Sequence, residues 1–134
     1  MQNRPDASTL LDAVATFLIS EVAPKLEADK ALQFRLMIAA NLASVVANEL
    51  RTEDARFAAE ASRLSALLPE VADAKKLSSP RRADRIEALG VLEAALAARL
   101  REAGPDAAAL EHLWETAKQT LQVTNPRFEL SEDL

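Results

Sequence analysis

Residues 34–50 read FRLMIAANLASVVANEL, and this stretch decides the fold because it is apolar on almost every side of a helix. Ile38 and Leu42 recur at helical spacing, and Asn41 and Glu49 fall on the same stripe. A buried amide without a partner costs about 1–3 kcal/mol, so some other group must meet Asn41. The pattern therefore predicts a buried, central second helix.

Two interpretations of Asn41 stay open at this point. In the first, its amide anchors irregular backbone near a chain end, either at Arg4-Pro5 or at residues 125–127. In the second, it lies in an exposed groove where a partner docks. Glu49 lies two turns further along the same face, and a buried carboxylate there would need an arginine such as Arg4 or Arg127. Such a pair would tie the chain ends to the second helix.

Length and composition predict a single all-α domain. The chain has 134 residues, which is one domain's worth, and it contains only two glycines. Alanine makes up roughly a fifth of it, and alanine has the lowest helical cost of any residue. The absence of cysteine removes disulfides and thiolate metal sites, and it fits a reducing compartment. We expect a cytoplasmic protein.

Charge and hydropathy favour a soluble protein that binds neither membrane nor nucleic acid. The chain opens MQNRPDAS, which lacks the basic start and apolar run of a secretory signal. Asn41 and Asn48 interrupt the only run that approaches the roughly twenty apolar residues of a membrane span. The net charge is −5, and the acids that follow Pro105 would repel a phosphate backbone.

Prolines and capping residues divide the chain into a bundle of about five helices. Asp6 and Thr52 are suited to helix starts, and Pro126 disfavours helix at Asn125. Short turns throughout indicate one bundle over residues 1–134, with 129–134 as a mobile acidic tail. The expected helices cover about residues 5–22, 31–51, 53–68, 80–104 and 105–124. Apolar stripes predict that the first helix buries Val14 and Phe17, the third Leu64 and Leu68, and the fourth Leu92 and Leu96.

The fifth helix should bury Leu110, Leu113 and Trp114, which leaves His112 on the solvent side beside two glutamates. His112 is the sole histidine, so a two-histidine metal site cannot be built. Gly90 and Gly104 do not have the spacing of a phosphate loop, and no serine or threonine has an adjacent base. The sequence therefore predicts no catalytic, cofactor-binding or metal-binding residues, and no enzyme.

Basic residues crowd the loop before the fourth helix and the start of that helix, and acids are interspersed among them. No aromatic residue interleaves with them, so we interpret the segment as a solvated loop of mixed charge. Contact with an acidic partner or a substrate phosphate stays open. The basic residues are Lys75, Lys76, Arg81, Arg82 and Arg85, and the acids are Asp73, Asp84 and Glu87.

Three segments, RPDASTLLDAV, FRLMIAANLASVVANEL and LQVTNPRFEL, together resemble a bacterial family of small all-helical proteins of uncharacterised function. The family pattern is Arg-Pro, then Phe followed by Ala-Ala-Asn-x-Leu, then Asn-Pro-Arg and an aromatic residue. This chain departs from it at Arg35, Met37 and Asn48, where the pattern has histidine, a basic residue and arginine. The matching residues are Arg4, Pro5, Phe34, Asn41, Glu49, Asn125, Pro126 and Arg127.

The resemblance implies a partner. Such proteins accompany aminoglycoside-phosphotransferase-like kinases and are commonly encoded beside an acyl-CoA dehydrogenase-like enzyme. Related pairs are implicated in phosphorylating 4-hydroxyacyl-CoA thioesters during acid catabolism. By this resemblance, the chain is a non-catalytic accessory subunit of such a kinase, and the matching residues form a structural or partner-docking surface.

Two further possibilities are open from the sequence. The alternative from another class is a protein that binds a small ligand or an acyl thioester in a cleft between helices two and five. Alanine-rich faces on helices two and four leave a homodimer open as well.

Overall fold

The computed structural model describes residues 4–126, and helices account for nearly all of that range. No strand occurs among these residues, so the predicted all-α class of about five helices is confirmed. Arg127 and the predicted acidic tail at 129–134 lie outside the described residues. The helices are α1 (Ala7–Phe17), α2 (Lys30–Leu67), α3 (Ala74–Leu77), α4 (Arg82–Ala103) and α5 (Ala107–Thr124).

The start of α1 is built around Asp6. The Arg4-Pro5 peptide bond is cis, and Asp6 follows it as the N-cap. The Asp6 carboxylate accepts hydrogen bonds from the Thr9 N–H at 2.8 Å and from the Ser8 hydroxyl at 2.9 Å. These bonds, the Thr9 N–H above all, lower the pKa of Asp6 to about 2. Pro5 therefore precedes the helix and is not part of its first turn.

A π-helical turn (Leu18–Val22) and a 3₁₀ turn (Ala23–Leu26) follow α1 directly. Helical structure therefore continues past the predicted end near Val22, as far as Leu26. Pro24 has no N–H to donate to the helix, and the tighter 3₁₀ turn begins where it stands.

Helix α2 is continuous for 38 residues, so the predicted boundary at Thr52 is wrong. The Thr52 hydroxyl donates to the Asn48 carbonyl at 2.8 Å, inside the helix, and does not cap a new one. No glycine or proline occurs between residues 30 and 67, so nothing in the backbone requires an end there. Helix α3 is a single turn within the predicted loop, where Asp73 accepts from the Lys76 N–H at 3.0 Å.

The predicted fourth and fifth helices are confirmed as α4 and α5. Gly104 ends α4 with φ of 73°, a left-handed conformation that favours glycine, and its N–H bonds the Leu100 carbonyl at 3.0 Å. Asp106 then accepts from the Ala109 N–H at 2.8 Å and starts α5.

The chain forms two compact units. The first unit comprises Met1–Glu53 with Leu121–Leu134, and the second comprises Asp54–Thr120. Helices α2 and α5 each contribute residues to both units. A single domain over residues 1–134 stays a prediction.

Leucines from α2 and α4 form the core of the second unit. Leu64 and Leu92 are fully buried, as their predicted stripes require. Half-buried residues surround this core, among them Leu67, Val71, Leu77, Leu89 and Leu100. The buried cluster itself is Leu64, Leu68, Leu92, Leu96 and Ala109.

The orientation predicted for α5 is wrong. Leu110, Leu113 and Trp114 are 53%, 43% and 51% exposed, whereas His112, expected on the surface, is only 4% exposed. Helix α5 turns its small and polar stripe inward, and Ala109 packs into the leucine cluster. The small side chain of Ala109 allows a close helix contact, and the imidazole of His112 finds hydrogen-bonding partners there, so this stripe can be buried.

Small residues also form the buried face of the first unit. Ala15 of α1 and Ala40 and Ala47 of α2 are buried, while the stripe of Val14 and Phe17, predicted to be inward, is exposed. The expected buried second helix is therefore wrong for this part of α2: its alanine side faces inward and its branched side faces outward.

Candidate partner-docking face

The outward side of α2 carries large apolar residues. Phe34, Ile38 and Leu42 are 65%, 45% and 59% exposed, and they follow one another at four-residue intervals. At 100° per residue they lie on the opposite side of the helix from the buried Ala40 and Ala47. We call Phe34, Ile38, Asn41, Leu42 and Glu49 the α2 outer face.

Asn41 lies in the middle of this face and is exposed, as is Glu49. The first interpretation of Asn41, as a buried amide that anchors the chain ends, is therefore wrong. Nothing forces the amide inward, because alanines on the other side of α2 allow a closer helix contact than Ile38 or Leu42 would. The exposure of Asn41 fits the second interpretation, in which a partner meets it.

The structure places the other family-pattern residues as follows. Arg4 and Pro5 are exposed before α1, and Asn125 and Pro126 are exposed after α5. All four belong to the first compact unit, as does the α2 outer face. Within residues 4–126 no ion pair joins Glu49 to Arg4, and a pair with Arg127 lies outside the described residues.

Arg51 holds α1 against α2 on the inward side. It forms an ion pair with Asp12, and its Nη2 also donates to the Ser8 carbonyl at 3.4 Å. Its Nη1 donates to the Asn48 side chain at 3.3 Å, so Asn48 helps to position it. Near the other end of the helix pair, Gln33 donates to the Ala23 carbonyl at 2.7 Å. None of these hydrogen bonds involves a residue of the α2 outer face.

A partly buried polar cluster surrounds the buried His112 in the second unit, and sequence analysis did not predict it. Arg63 donates to His112 Nδ1 and to the Thr116 hydroxyl, each at 3.3 Å. Burial lowers the pKa of His112, and the charge of Arg63 acts in the same direction. Partial burial raises the pKa of Glu93, and Glu60 adds to that shift. Ala109, His112 and Thr116 recur at three- and four-residue spacing, which places them on one side of a helix. The neighbouring stripe of α5 is more apolar, so sequence analysis assigned that stripe to the interior instead.

A cavity of about 490 Å³ lies within the second unit, between α2, α3 and the start of α4. Phe57, Ala61 and Leu77 contribute apolar walls to it. Arg85 lines it as well, 3.6 Å from Asp54 and 5.7 Å from the centre of the Phe57 ring. The volume of the cavity lies in the range of small-molecule sites. Sequence analysis did not indicate this cavity.

The basic segment beside this cavity is largely paired, as the mixed-charge interpretation predicts. Lys76 lies 3.2 Å from Glu87, and Arg81 lies 3.9 Å from Asp84. Arg85 additionally donates to the carbonyl of Ser79 at 3.0 Å.

A second cleft, of about 260 Å³, lies between α5 and residues 63–67 of α2. These α2 residues belong to the predicted third helix, so this is not the ligand cleft that was predicted between helices two and five. Arg63, Glu111, His112 and Glu115 line this second cleft together with Ala66, Leu67 and Ala108, so charged groups lie among a mostly apolar wall surface. This volume falls below the roughly 300–1,000 Å³ of typical ligand pockets. Over residues 4–126 no group of three or more histidine, aspartate or glutamate residues could hold a metal ion.

Two segments are long and apolar enough to cross a membrane by length and composition, Ala7–Leu26 and Lys30–Leu67. The longest charge-free run in the second is residues 36–48, which is 13 residues. A helix of that length spans about 20 Å, against a hydrocarbon core of about 30 Å.

No curated protein and no solved structure matches the chain. Residues 24–128 match a family model described as Domain of unknown function (DUF6285). The matched segment begins after Arg4 and Pro5, and it contains the α2 outer face, Asn125 and Pro126. Because the match covers well over half of the chain, this protein belongs to the DUF6285 family.

Proposed function

We propose that the protein is a non-catalytic accessory subunit that docks a partner protein on the α2 outer face. The exposure of Phe34, Ile38 and Leu42 on one side of one helix supports this most directly. Soluble monomers rarely expose contiguous apolar patches larger than a few hundred Å², and larger ones mark interaction sites.

The spacing of the face suits a groove on a partner. Phe34, Ile38 and Leu42 stand at i, i+4 and i+8, which is the anchor pattern of a helix that binds in an apolar groove. Phe34 is aromatic and the most exposed of the three, so it is our candidate for the main anchor. Asn41 and Glu49 supply polar groups that would fix the orientation and register of a partner.

The resemblance supplies the class of partner, a kinase of the aminoglycoside-phosphotransferase type that acts on hydroxyacyl-CoA substrates. Phe34, Asn41 and Glu49 belong to the pattern that carries the resemblance, and all three fall on the α2 outer face. Shared pattern positions on an exposed face are those that a common partner would contact.

A protein partner is favoured over a lipid bilayer on two grounds. The charge-free run at residues 36–48 is too short to span, and Asn41 stands in the middle of the apolar stripe. An amide in hydrocarbon without a partner is costly, whereas a protein groove can supply a hydrogen bond to it.

Binding to an aminoglycoside-phosphotransferase-like kinase from the same source, the partner that we propose, tests this function. We expect the two proteins to co-purify, and we expect the double variant Phe34→Ala/Ile38→Ala to bind at least about 30-fold more weakly, as loss of hot-spot anchors predicts. Val91→Ala, an exposed apolar position on α4, is the matched control and should bind like wild type.

Three outcomes would contradict the proposal. The kinase shows the same turnover and solubility with and without the protein, or Val91→Ala weakens binding as much as the double variant does. The third outcome is that vesicles of phosphatidylglycerol and phosphatidylcholine bind the wild type but not the double variant in a flotation assay, while the kinase binds both proteins.

The cavity beside Phe57 favours a second candidate function, the binding of an acyl thioester or another small apolar ligand. Its apolar walls suit an acyl chain, although it lies between α2, α3 and α4 and not between helices two and five. Arg85 would meet an anionic group of the ligand by giving up its 3.6 Å pair with Asp54.

Thermal unfolding with octanoyl-CoA tests this second function. A saturable rise in Tm is expected for wild type and should vanish in Ala58→Trp, because tryptophan at that cavity-lining position would fill the space. No rise for wild type, or an equal rise for both proteins, would contradict it.

A further inference from the structure

Helix α5 exposes an apolar stripe of its own within the second unit. Leu110, Trp114 and Ala117 follow one another at four- and three-residue spacing, and Leu113 flanks them. This spacing is the heptad pattern of helices that pair along a seam. All four residues are exposed, because the small and polar side of α5 is turned inward.

The charges beside this stripe are arranged for a second copy of the same helix. Glu111 and Lys118 are seven residues apart, so they lie on the same flank of the stripe, two turns from each other. When two such helices run antiparallel about a two-fold axis, like flanks face each other. Glu111 of one copy then meets Lys118 of the second copy, and the reverse pair forms by symmetry.

The apolar side chains are complementary in the same register. Trp114 of one helix faces Ala117 of the other, so the largest side chain of the stripe lies over the smallest. Within its own helix, Lys118 is paired with Glu115, and it would exchange this pair for Glu111 of the second copy. A parallel pair would bring opposite flanks together, so Glu111 and Lys118 would not meet.

We propose that α5 is a homodimer interface in which two copies pair antiparallel along Leu110, Trp114 and Ala117, with reciprocal Glu111–Lys118 ion pairs. The interface is separate from the α2 outer face, and the proposal does not depend on partner binding. The half-exposed large side chains would bury on the order of 300 Å² per copy, below the roughly 800 Å² of a standard interface, so the dimer should be weak and concentration-dependent.

Sedimentation of the full chain across about 1–500 µM, a range that brackets weak association, tests the proposal. We expect a reversible monomer–dimer equilibrium with a micromolar Kd. Trp114 is the only tryptophan, so its emission should shift to shorter wavelength as the dimer forms. A monomer throughout this range would overturn the inference.

Charge reversal tests the antiparallel register. Glu111→Lys alone places two positive groups opposite each other, and Lys118→Glu alone places two negative groups, so each variant should dimerise at least about fivefold more weakly than wild type. An equimolar mixture of the two variants restores both ion pairs and should recover wild-type association as a heterodimer. Circular dichroism of each variant establishes that its helix is intact.

The remaining outcomes overturn the inference. If the mixture associates no better than the single variants, the register is wrong. If single reversals change nothing while helicity is intact, the flank does not face a second copy. If Phe34→Ala/Ile38→Ala abolishes the dimer while Trp114→Ala leaves it unchanged, the second copy occupies the α2 outer face.

Discussion

Arg63 donates a hydrogen bond from Nε to Nδ1 of His112 at 3.3 Å, within the second compact unit. A neutral imidazole that accepts at Nδ1 carries its proton on Nε2. Burial and the nearby guanidinium both disfavour a second proton, and they lower the pKa of His112. Thr116 accepts from the same arginine, while Glu93 opposes the shift.

This relationship predicts how stability varies with pH. The pKa of His112 is lower in the folded protein than its ordinary value of about 6.5, so the unfolded chain binds the proton more readily. The contribution of His112 to the free energy of unfolding is therefore complete above about pH 6.5. It is lost as the pH falls from there towards the pKa of His112 in the folded protein. Urea unfolding at about pH 7.5, 6.5 and 5.5 should show falling stability for wild type and a shallower fall for His112→Gln.

Glu93 provides the control for that experiment. Its pKa is raised in the folded protein, so its contribution has the opposite sign and favours the fold as the pH falls. Removing the Glu93 charge also lowers the pKa of His112 further, so Glu93→Gln should steepen the loss of stability between about pH 7.5 and 5.5. An unchanged pH slope in His112→Gln would contradict the assignment to His112.

The reversed orientation of α5 predicts unequal costs for two large truncations. Leu92→Ala removes a fully buried side chain and should lower the free energy of unfolding by about 2–5 kcal/mol. Trp114→Ala removes a half-exposed side chain and should cost about 1 kcal/mol or less when measured on the monomer. Urea titrations at low protein concentration measure both values, and equal costs would show that Trp114 belongs to the core.

The pair of Arg51 with Asp12 should couple weakly. Both side chains are well exposed, so a double-mutant cycle with Arg51→Gln and Asp12→Asn should give about 0.2–1 kcal/mol, reduced by added salt. A coupling energy of zero at low salt would mean that the pair does not hold α1 against α2.

Asn41 and Asn48 are two asparagines of α2 with different surroundings, so the same substitution can be compared at both positions. Asn41 is exposed, so Asn41→Leu should change the free energy of unfolding by less than about 0.5 kcal/mol while it weakens kinase binding. Asn48 accepts from Arg51, so Asn48→Leu should lower stability by about 0.5–1.5 kcal/mol. Calorimetric unfolding of the two variants compares them, and the reverse order would favour a buried Asn41.

Helix boundaries were predictable where residue chemistry fixes them. Gly104 ends α4 and Asp106 starts α5 for local reasons that the sequence alone shows. The boundary predicted at Thr52 failed because a threonine can also bond back to the carbonyl four residues earlier, and it does so with Asn48.

The inward faces of the helices were less predictable, because an apolar stripe in the sequence does not indicate whether the same chain or another protein covers it. Leu64 and Leu92 follow the usual rule and are buried. Ile38 and Trp114 do not, since alanines and His112 on the opposite sides of their helices make the inward contacts. Spacing alone placed Ile38, Asn41 and Glu49 on a common face, but whether that face is buried depends on tertiary packing.

Hydroxyl-radical footprinting of the protein, alone and with a saturating amount of the proposed kinase partner, tests the central claim most directly. In the free protein, Phe34 and Met37 are exposed and should oxidise readily. In the complex their oxidation should fall several-fold, while that of the control Val91 stays the same. Equal oxidation of Phe34 with and without the kinase would contradict docking on the α2 outer face.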